Sequence, residues 1–442
     1  MVDNDIIVAP ATAMGGAIAV IRMSGEGAVE CCDKVFAGRS RLADAAPYTV
    51  HYGRIVDGDR TLDDVLVSVF RAPHSYTGED SVEISIHGSK YIASEVMSLL
   101  VRNGARMARA GEFSVRAFLA GKMDLSQAEA VADMIAADSR ASHALASTQM
   151  RGGYSRSLQS LRRQLLDIAS LLELELDFSE EEVEFADRSH LENLLNHTGA
   201  EIGRLMESFA TGNAIKEGVA TAIVGAPNVG KSTLLNRLVG EDRAMISDIA
   251  GTTRDTVEAH CNIDGVQFRF VDTAGIRTTD DRLEQMGIER TMKALREARI
   301  VIQMIEAGCS GFEPVAVGDG QTLIVVANKA DRSDDRSVND AIYISAKSGD
   351  GVDELRARLR STVDTERIYA GETVVSNARH FAALQRASEA LTRAMTALHS
   401  GLSGELLSEE IREVLQHIGE ITGDVTSDDI LKNIFSKFCI GK

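Results

Sequence analysis

The spacing of apolar and polar positions predicts a mixture of strands and helices in the first 120 residues. Apolar runs in GAIAVIRMSG and DDVLVSVFRAP indicate strands, and SVEISIHG (Ser81–Gly88) alternates apolar and polar side chains as a half-buried strand does. The next stretch, SKYIASEVMSLLVRNGAR, has the pattern of a helix that ends at Gly104. We therefore expect an α+β domain over residues 1–120.

From Ser126 onward the apolar spacing becomes helical. Ser126 is followed three positions later by Glu129, which predicts a capping box at the start of a helix. The later stretch YSRSLQSLRRQLLDIASLLELELDF keeps apolar side chains at helical spacing, and more helix is expected over 189–210. Residues 121–214 are therefore predicted to form the first half of an all-α domain.

The central part of the chain has a different pattern. Strands and helices alternate from about 218 to 365, which predicts a doubly wound parallel sheet, and helical spacing then returns over 378–438. The simplest architecture is multidomain, with an α/β domain (215–368) inserted into a discontinuous all-α helical domain (121–214 and 369–442). Such insertions are tolerated because the termini of a domain often lie close together.

Composition indicates an ordinary soluble protein. The 442 residues are 44% hydrophobic and 26% charged, and no run approaches the roughly 20 apolar residues that span a bilayer. The N-terminus, MVDNDIIVAP, lacks the basic and apolar segments of a signal peptide. Cysteines at 31, 32, 261, 309 and 439 give neither a disulfide framework nor a zinc spacing. We therefore expect a protein of the reducing cytoplasm, with no membrane attachment.

The net charge of −19 argues against a broad basic surface for nucleic acid, because phosphate binding draws on clustered lysine and arginine. General solubility is the simpler explanation of the charge. If the protein acts on RNA, it needs a local basic patch or a more basic partner.

A phosphate-binding loop is the first motif that carries chemistry. GAPNVGKST (Gly225–Thr233) matches G-x-x-x-x-G-K-[ST] and lies between the strand-like VATAIV and the helix-like STLLNRLV. Its backbone N–H groups are expected to cradle phosphates at a helix N-terminus. Lys231 is expected to neutralise β- and γ-phosphate oxygens in catalysis, and Ser232 to bind Mg²⁺. The predicted nucleotide contacts here are Asn228, Val229, Gly230, Lys231, Ser232 and Thr233.

Further motifs follow in an order typical of GTPases. In DIAGTTRD, Thr253 is expected to bind Mg²⁺ and the γ-phosphate. VDTAG ends a strand with Asp272, whose carboxylate is expected to contact the groups that bind Mg²⁺ without binding the metal directly. VVANKADR and YISAKSGDG supply the base site. The predicted contacts in these segments are Ser247, Asp248, Ile249, Ala250, Gly251, Thr252, Thr253, Asp272, Thr273, Ala274, Gly275, Asn328, Lys329, Asp331, Ser345, Ala346 and Lys347.

Asp331 predicts guanine as the base. Its carboxylate can accept the ring N–H and the exocyclic NH₂ of guanine, and adenine lacks this pair of donors. A buried carboxylate left unpaired would penalise ATP. Five motifs in the right order, each at a strand end, make coincidence a poor explanation, so the chain is predicted to bind GTP.

Segments outside these motifs extend a family resemblance over nearly the whole chain. The T-T-R-D motif resembles the switch of translation-factor-related GTPases. DNDIIVAPAT, YTGEDSVEISIHG, GEFSVRAFLAGKMDLSQAEAVADMIAA, GEITGDVTSDDILKNIF and the terminal FCIGK resemble the tRNA-modification GTPases of the MnmE (TrmE) family, which modify wobble uridine. This resemblance implies a folate-binding and dimerisation domain at 1–120, and identifies the inserted α/β domain as a P-loop GTPase domain.

The resemblance also implies how water and charge are handled. Many small GTPases have a glutamine after D-x-x-G, but here Ile276 follows Gly275. RLEQMG matches the family's E-x-[IM]-G, which implies that Glu284 organises the attacking water through a bridging contact; an ordinary surface glutamate is the alternative. The family has no arginine finger, and K⁺ supplies that charge when two G domains meet. The implied K⁺ ligands are Asn228, Ser247, Ile249 and Thr252.

Both ends of the chain match the family's folate chemistry. Arg22 in AVIRMSG, Glu83 in SVEI and Lys122 in LAGKMDL match its contacts to 5-formyl- or methylene-tetrahydrofolate, although surface charges are the alternative from sequence alone. In the family, the terminal segment reaches the folate site and is needed for tRNA modification. Lys442 is therefore an implied folate contact and Cys439 an implied participant in the modification chemistry; a buried structural cysteine is the alternative.

The implied function is a K⁺-activated GTPase that acts as a homodimer in the cytoplasm. In a heterotetramer with an FAD-dependent flavoprotein, it adds an aminomethyl or carboxymethylaminomethyl group to carbon 5 of the wobble uridine of certain tRNAs. The one-carbon unit comes from tetrahydrofolate. Because this chain has no G-x-G-x-x-G motif, FAD and NADH are expected on the partner.

Two other functions stay open at this point. A ribosome-assembly GTPase, acting as a nucleotide-switched RNA-binding module, shares APNVGKSTLLN and GTTRD, but normally adds a KH-type domain or a second G domain that is not evident here. A folate-dependent methyl-transfer protein with an accessory G domain would form its product without GTP turnover.

Two positions depart from the family pattern. Residue 306 is Glu where Asp is common. The stretch 307–320 between two predicted parallel strands is short and irregular, although such crossovers usually contain a helix. We therefore expect that helix to be reduced to a turn.

Overall fold

The computed structural model describes residues 5–177, 188–240, 259–270, 293–309, 311–333, 335–400, 404–436, 438 and 441. The chain divides into two units, Met1–Ala132 with Ile418–Lys442, and Asp133–His417. The strands are β1 (Ile6–Pro10), β2 (Ile18–Ser24), β3 (Phe36–Gly38), β4 (Thr49–Asp57), β5 (Arg60–Phe70), β6 (Ser81–His87), β7 (Ala105–Met107), β8 (Val219–Gly225), β9 (Ala259–Ile263), β10 (Val266–Phe270), β11 (Ile300–Glu306), β12 (Thr322–Asn328) and β13 (Ile342–Tyr343). The helices are α1 (Ala28–Asp33), α2 (Lys90–Arg102), α3 (Glu112–Leu119), α4 (Leu125–Ala136), α5 (Arg140–Met150), α6 (Gly153–Asp177), α7 (Arg188–Glu217), α8 (Lys231–Gly240), α9 (Val352–Ser361), α10 (Glu366–Tyr369), α11 (Ala378–His399), α12 (Gly404–Thr422) and α13 (Asp428–Phe435).

The described strands of the first unit form one sheet in the order β3-β4-β5-β6-β2-β1-β7. Neighbouring strands are antiparallel except β1 and β7, which are parallel. The apolar runs that predicted β2 and β5, and the alternation that predicted β6, place side chains in a core that includes Ile21, Val67 and Ile84. The helix predicted after β6 is α2, which Ser89 caps by accepting a hydrogen bond from the Ile92 N–H at 3.5 Å.

Helix α3 packs on the other side of β1. Phe113 on α3 lies in a small core with Ile7 of β1, whereas the neighbouring Val8 faces the larger core. Arg116 on the same helix has a side chain that is only 1% exposed. Its guanidinium donates hydrogen bonds to Asp5 Oδ1 at 2.7 Å and to Glu79 Oε2 at 3.1 Å. Because a buried charge must be paired, these contacts fix α3 to the N-terminal strand.

Helix α4 begins one residue before the predicted capping serine. The Asp124 carboxylate accepts a hydrogen bond from the Gln127 N–H at 2.9 Å, and the Gln127 side chain accepts one from the Asp124 N–H at 3.0 Å. Ser126 lies inside the helix and donates its hydroxyl to Asp124 Oδ1 at 2.8 Å. The predicted capping box of Ser126 and Glu129 is therefore wrong, because the same reciprocal spacing is formed two residues earlier.

The C-terminal helix α13 belongs to the first unit. Phe435 and Phe438 are buried in a core with Leu125 and Ala128 of α4. Their two rings lie 5.1 Å apart. The last turn of the described chain is thus held by aromatic packing.

The described strands of the second unit run in the order β13-β12-β11-β8-β10-β9. Neighbours are parallel from β13 to β10, whereas β9 and β10 form an antiparallel hairpin at the edge. The sequence pattern predicted a parallel sheet, and the antiparallel hairpin of β9 and β10 departs from that prediction. The strand order reverses beside β8, and ligands of such sheets bind at the carboxyl ends of strands near this point. The described residues among 307–320 form no helix, which confirms the shortened crossover.

Helices that flank the α/β part in sequence pack on each other in the second unit. Phe209 of α7 stacks on Phe381 of α11 with ring centroids 4.2 Å apart and planes 12° apart. The Val375 N–H donates to Ser208 Oγ at 3.0 Å. These contacts join helices that come before and after the α/β part in sequence. Among the helices in the described ranges, none has the length and apolar character needed to cross a membrane.

Candidate functional site

The predicted phosphate loop connects β8 to α8 where the strand order reverses. Asn228 has a φ of 60° and Gly230 has a φ of 108°. A Cβ on Gly230 would lie 2.2 Å from Nδ2 of Asn328, so the loop requires glycine there. The loop leads directly into the N-terminus of α8, where backbone N–H groups without helical partners bind anions.

Lys231, the first residue of α8, folds back over the loop. Its Nζ donates hydrogen bonds to the carbonyl oxygens of Gly225 at 2.8 Å and Ala226 at 2.9 Å. Burial lowers the pKa of Lys231, because the ammonium group loses solvation. Charged acceptors bind ammonium groups more strongly than peptide carbonyls do, so Nζ can exchange these partners for phosphate oxygens. Ser232 and Thr233 follow in the same turn.

Asn328 joins the phosphate loop to the base loop, Ser345–Lys347. Its side-chain Nδ2 donates to the Val229 carbonyl at 2.7 Å, and its Oδ1 accepts from the Ala346 N–H at 2.9 Å. The residue is 4% exposed, so both loop groups would lack a partner without it. The fold therefore brings Asn328 into contact with Val229, which lies 99 residues earlier in the sequence.

Asp331 and Lys329 follow β12 at the same edge of the sheet. A hydrogen bond from the Ser345 hydroxyl lowers the pKa of Asp331, and the charges of nearby Arg332 and Lys347 act in the same direction. The exposed carboxylate is therefore charged at neutral pH and can accept the paired donors of guanine. Lys329 has a φ of 64°, and its Nζ lies 2.9 Å from a carboxylate oxygen of Glu306, the position that departs from the family pattern.

The sequence analysis missed Arg237, which contacts the base loop from the last turns of α8. Its Nε donates to the Ala346 carbonyl at 3.0 Å, and its Nη2 donates to the Lys347 carbonyl at 2.7 Å. The local signal was weak, because a basic residue near a helix C-terminus is commonly explained by the helix dipole. Only the fold shows that this helix end lies against a loop more than 100 residues later.

Several predicted residues lie outside the described residues. They fall in 241–258, in 271–292 and among the last residues of the chain. These residues are Ser247, Asp248, Ile249, Ala250, Gly251, Thr252, Thr253, Asp272, Thr273, Ala274, Gly275, Glu284, Cys439 and Lys442. Of the predicted nucleotide contacts, the structure thus places the phosphate loop, the Asn328–Asp331 segment and the base loop.

In the first unit, Arg22 and Glu83 form a cross-strand ion pair. They face each other in the register of β2 and β6, and Arg22 Nη2 lies 2.8 Å from Glu83 Oε1. The guanidinium carbon of Arg22 lies 5.4 Å from the ring centroid of Tyr76 and 5.8 Å from that of Phe113. Arg22 Nη1 also donates to the carbonyl of Gly441 at 3.3 Å. The predicted folate arginine therefore contacts two aromatic rings and the C-terminal tail.

Lys122, the third predicted folate residue, is exposed and lies against the loop that carries Tyr76. Its Nζ donates a hydrogen bond to the Pro73 carbonyl. A Cβ placed on Gly78, in the same loop, would lie 3.1 Å from Cε of Lys122. Arg22 and Lys122 thus contact one loop, 73–78, at different points.

Comparisons with known proteins agree over the full length of the chain. A family model described as the MnmE helical domain matches residues 125–439, and one described as the N-terminus of the GTP-binding protein TrmE matches residues 6–122. Proteins named tRNA modification GTPase MnmE are similar to this chain in Christiangramia forsetii (47% identity, 99% of each chain) and Bacteroides thetaiotaomicron (48%, 100% of each). The relative of the same name in Flavobacterium johnsoniae is 49% identical over 100% of each chain.

Proposed function

The chain belongs to the MnmE family of tRNA modification GTPases, and from this membership we propose that it is activated by K⁺ and works with a flavoprotein partner. Together they add an aminomethyl or carboxymethylaminomethyl group to carbon 5 of the wobble uridine of certain tRNAs. The observation that best supports the nucleotide part is the Asn328 side chain, which links the phosphate loop to the base loop.

The described residues fit a guanine nucleotide with Mg²⁺. The N–H groups of the phosphate loop and Nζ of Lys231 bind the β- and γ-phosphates, and Asp331 selects guanine. Ser232 and Thr233 lie at the N-terminus of α8, where a phosphate-bound metal is expected. Ser232 and Thr253 are the proposed Mg²⁺ ligands. Asp272 is proposed to orient the groups that bind the metal, without being a ligand itself. When bound there, Mg²⁺ would neutralise charge on the phosphate oxygens.

Hydrolysis needs a positioned water and a positive charge. Glu284 holds the attacking water, in place of the glutamine that this chain lacks at Ile276. Asn228, which has a φ of 60°, is the described member of the proposed K⁺ site with Ser247, Ile249 and Thr252. When bound there, K⁺ would supply charge stabilisation of the kind that an arginine finger gives elsewhere.

The second proposed site binds 5-formyl- or methylene-tetrahydrofolate in the first unit. The guanidinium of Arg22 lies against the rings of Tyr76 and Phe113. Such a surface suits the flat pterin ring of folate, which would lie beside a charged group and aromatic side chains. Glu83 pairs with Arg22, and Lys122 offers an exposed ammonium group to a glutamyl carboxylate. The contact of Arg22 with the carbonyl of Gly441 supports a role for the tail, in which Lys442 binds folate and Cys439 serves the modification chemistry.

We assign the homodimer contact to the N-terminal domain. Val50 and Tyr52 on β4 and Leu66 on β5 are 61%, 70% and 48% exposed, and Tyr52 and Leu66 face each other in register. Exposed apolar side chains grouped on one sheet face are typical of an interface. FAD and NADH are proposed to belong to the partner in a cytoplasmic heterotetramer. The proposed domain boundaries are 1–120, 121–214, 215–368 and 369–442, and within the last of these Ile418–Lys442 groups with the first unit.

A local basic patch offers this acidic chain a way to approach tRNA. Residues 139–166 contain arginines but no aspartate or glutamate. Three of these arginines are exposed: Arg151 at the C-terminal end of α5, and Arg156 and Arg163 on α6. Arginine binds phosphate oxygens with two parallel hydrogen bonds, so this patch is the proposed phosphate contact.

Nucleoside profiling of tRNA by liquid chromatography from a deletion strain tests the function. We expect loss of the modified wobble uridine and its return with the wild-type gene. Unchanged nucleosides with an altered ratio of ribosomal subunits would favour the ribosome-assembly GTPase instead. Restoration by a variant that cannot hydrolyse GTP would favour the folate-dependent methyl-transfer protein.

A further inference from the structure

We propose that Arg237 is a positioning residue for guanine nucleotides, which holds the base loop in place and thereby slows their release. The proposal rests on the nucleotide site described above, and it adds a residue that no motif of that site contains. Arg237 is half-buried near the C-terminal end of α8, and Lys231 is at the opposite end of the same helix. One helix therefore contacts both the predicted phosphate site and the predicted base site.

Two hydrogen bonds to adjacent carbonyl oxygens define the contact. Nε reaches the Ala346 carbonyl at 3.0 Å and Nη2 reaches the Lys347 carbonyl at 2.7 Å. A guanidinium is a planar fork of donors, so it can satisfy two neighbouring acceptors at once. Gly349 lies against the same group, and a Cβ at this position would be 2.8 Å from Nη1 of Arg237.

These bonds complete a closed circuit of contacts around the site. The phosphate loop is joined to Asn328 through Val229, and Asn328 is joined to the base loop through the N–H of Ala346. The carbonyl of the same Ala346 returns to α8 through Arg237. The N–H of Ala346 is therefore held by Asn328 at the end of β12, and its carbonyl is held by the helix that also carries Lys231.

Loss of Arg237 should loosen the base loop without removing a group that acts in the chemical step. Asn328 still holds the Ala346 N–H, but the two carbonyl contacts disappear. A bound nucleotide then has a less rigid base pocket, and ordering that pocket on binding costs entropy. We expect faster release of GDP and a higher KM for GTP, with kcat at saturating GTP nearly unchanged.

Stopped-flow release of fluorescently labelled GDP from the full chain tests this proposal. Arg237→Ala should release GDP about 5- to 50-fold faster, which corresponds to the loss of about two hydrogen bonds. Arg237→Lys should be intermediate, because an ammonium group lacks the fork but can still donate to one carbonyl. The matched control is Arg358→Ala, which removes an exposed arginine from the last turn of another helix, α9, and should release GDP at the wild-type rate.

Three results would overturn the proposal. These are wild-type release from Arg237→Ala, equal acceleration by the Arg358→Ala control, or a fall in kcat with unchanged release. If Arg237→Ala does not fold, the graded comparison of Arg237→Lys with wild type decides, and an unchanged rate then counts against the proposal. Failure of the wild-type chain to retain GDP would instead refute the nucleotide site itself.

Discussion

Asn328 and Asp331 lie three residues apart but contribute to the site in different ways. Asn328 is buried and holds two loops together through its amide, whereas Asp331 is exposed and presents a charged carboxylate. Both were predicted from sequence because they belong to a short motif at the end of a strand. Arg237 could not be predicted, because its role depends on a helix and a loop that only the fold brings together.

Asp331→Asn should change the base that the protein prefers from guanine to xanthine. The amide presents a donor where the carboxylate accepted the two guanine protons, and xanthine has a carbonyl at that position. We expect GTP affinity to fall about 10- to 100-fold, the range for hydrogen bonds to a charged group, and XTP affinity to rise. Competition between the two nucleotides for a fluorescent analogue measures the change. The exposed Asp353→Asn on α9 is the control, and unchanged GTP affinity in Asp331→Asn would refute the role.

At the scale of elements, strands β2, β5 and β6 were predicted well because short apolar runs and alternation both indicate which side chains face the core. The start of α4 was misplaced, because two overlapping pairs of residues have the same capping spacing and only one can form. The tail after Phe438 showed no apolar pattern, yet a Cβ on Gly441 would lie 2.1 Å from the carbonyl oxygen of Pro10. A close approach between backbones leaves no hydrophobic signal in the sequence.

Helix α3 should depend on the ion pairs of Arg116. Arg116→Leu leaves the carboxylates of Asp5, Glu79 and Glu112 facing an apolar side chain. Asp5 and Glu112 keep Arg106 as a partner, so local opening of β1 should become easier by about 1–3 kcal/mol at pH 7, the range for a buried polar group that loses a hydrogen-bond partner. Hydrogen exchange of β1 amides measures it. Arg102→Leu is the control, because its ion pair with Asp57 is exposed and should contribute less than about 1 kcal/mol.

The same cluster predicts how the first unit responds to acid. Burial alone would raise the pKa of Asp5 and of Glu112, but hydrogen bonds from Arg106, joined at Asp5 by Arg116, outweigh it and lower both. Carboxylates with lowered pKa values stabilise the fold above their ordinary pKa of 3.8 or 4.5, and this stabilisation is lost as the pH falls below those values. Protection of β1 amides, corrected for intrinsic exchange, should hold from pH 7 to about pH 5 and fall below it. A constant value down to pH 3.5 would contradict this.

At the scale of the whole molecule, the two proposed sites are carried by different units. The nucleotide site belongs to Asp133–His417, and the folate site to Met1–Ala132 with Ile418–Lys442. The nucleotide site is recognisable from local motifs. The folate site is recognisable only from family resemblance, because paired charges such as Arg22 and Glu83 are common on sheets.

Because the two proposed sites lie in different units, a Cys439→Ser variant should hydrolyse GTP at nearly the wild-type rate and fail to restore the modified uridine. Loss of both activities would show that the tail serves the fold.

GTP hydrolysis by this protein should be much faster in K⁺ than in Na⁺. The chain is proposed to lack an arginine finger, so a cation beside Asn228 has to supply the positive charge at the phosphates. Hydrolysis rates at equal ionic strength in KCl and NaCl measure the effect, and Asn228→Ala should reduce the difference between the two salts. Equal wild-type rates in both salts would rule out K⁺ activation.

The most direct test of the central claim is the amount of modified wobble uridine in tRNA from a deletion strain that carries Glu284→Ala. The variant should bind GTP normally and hydrolyse it about 10²- to 10³-fold more slowly, as expected for losing one group that acts in the transition state. We predict that it leaves the wobble uridine unmodified, whereas the wild-type gene restores the modification. Full modification by Glu284→Ala, with hydrolysis reduced to that extent, would contradict the claim that GTP hydrolysis by this chain drives tRNA modification.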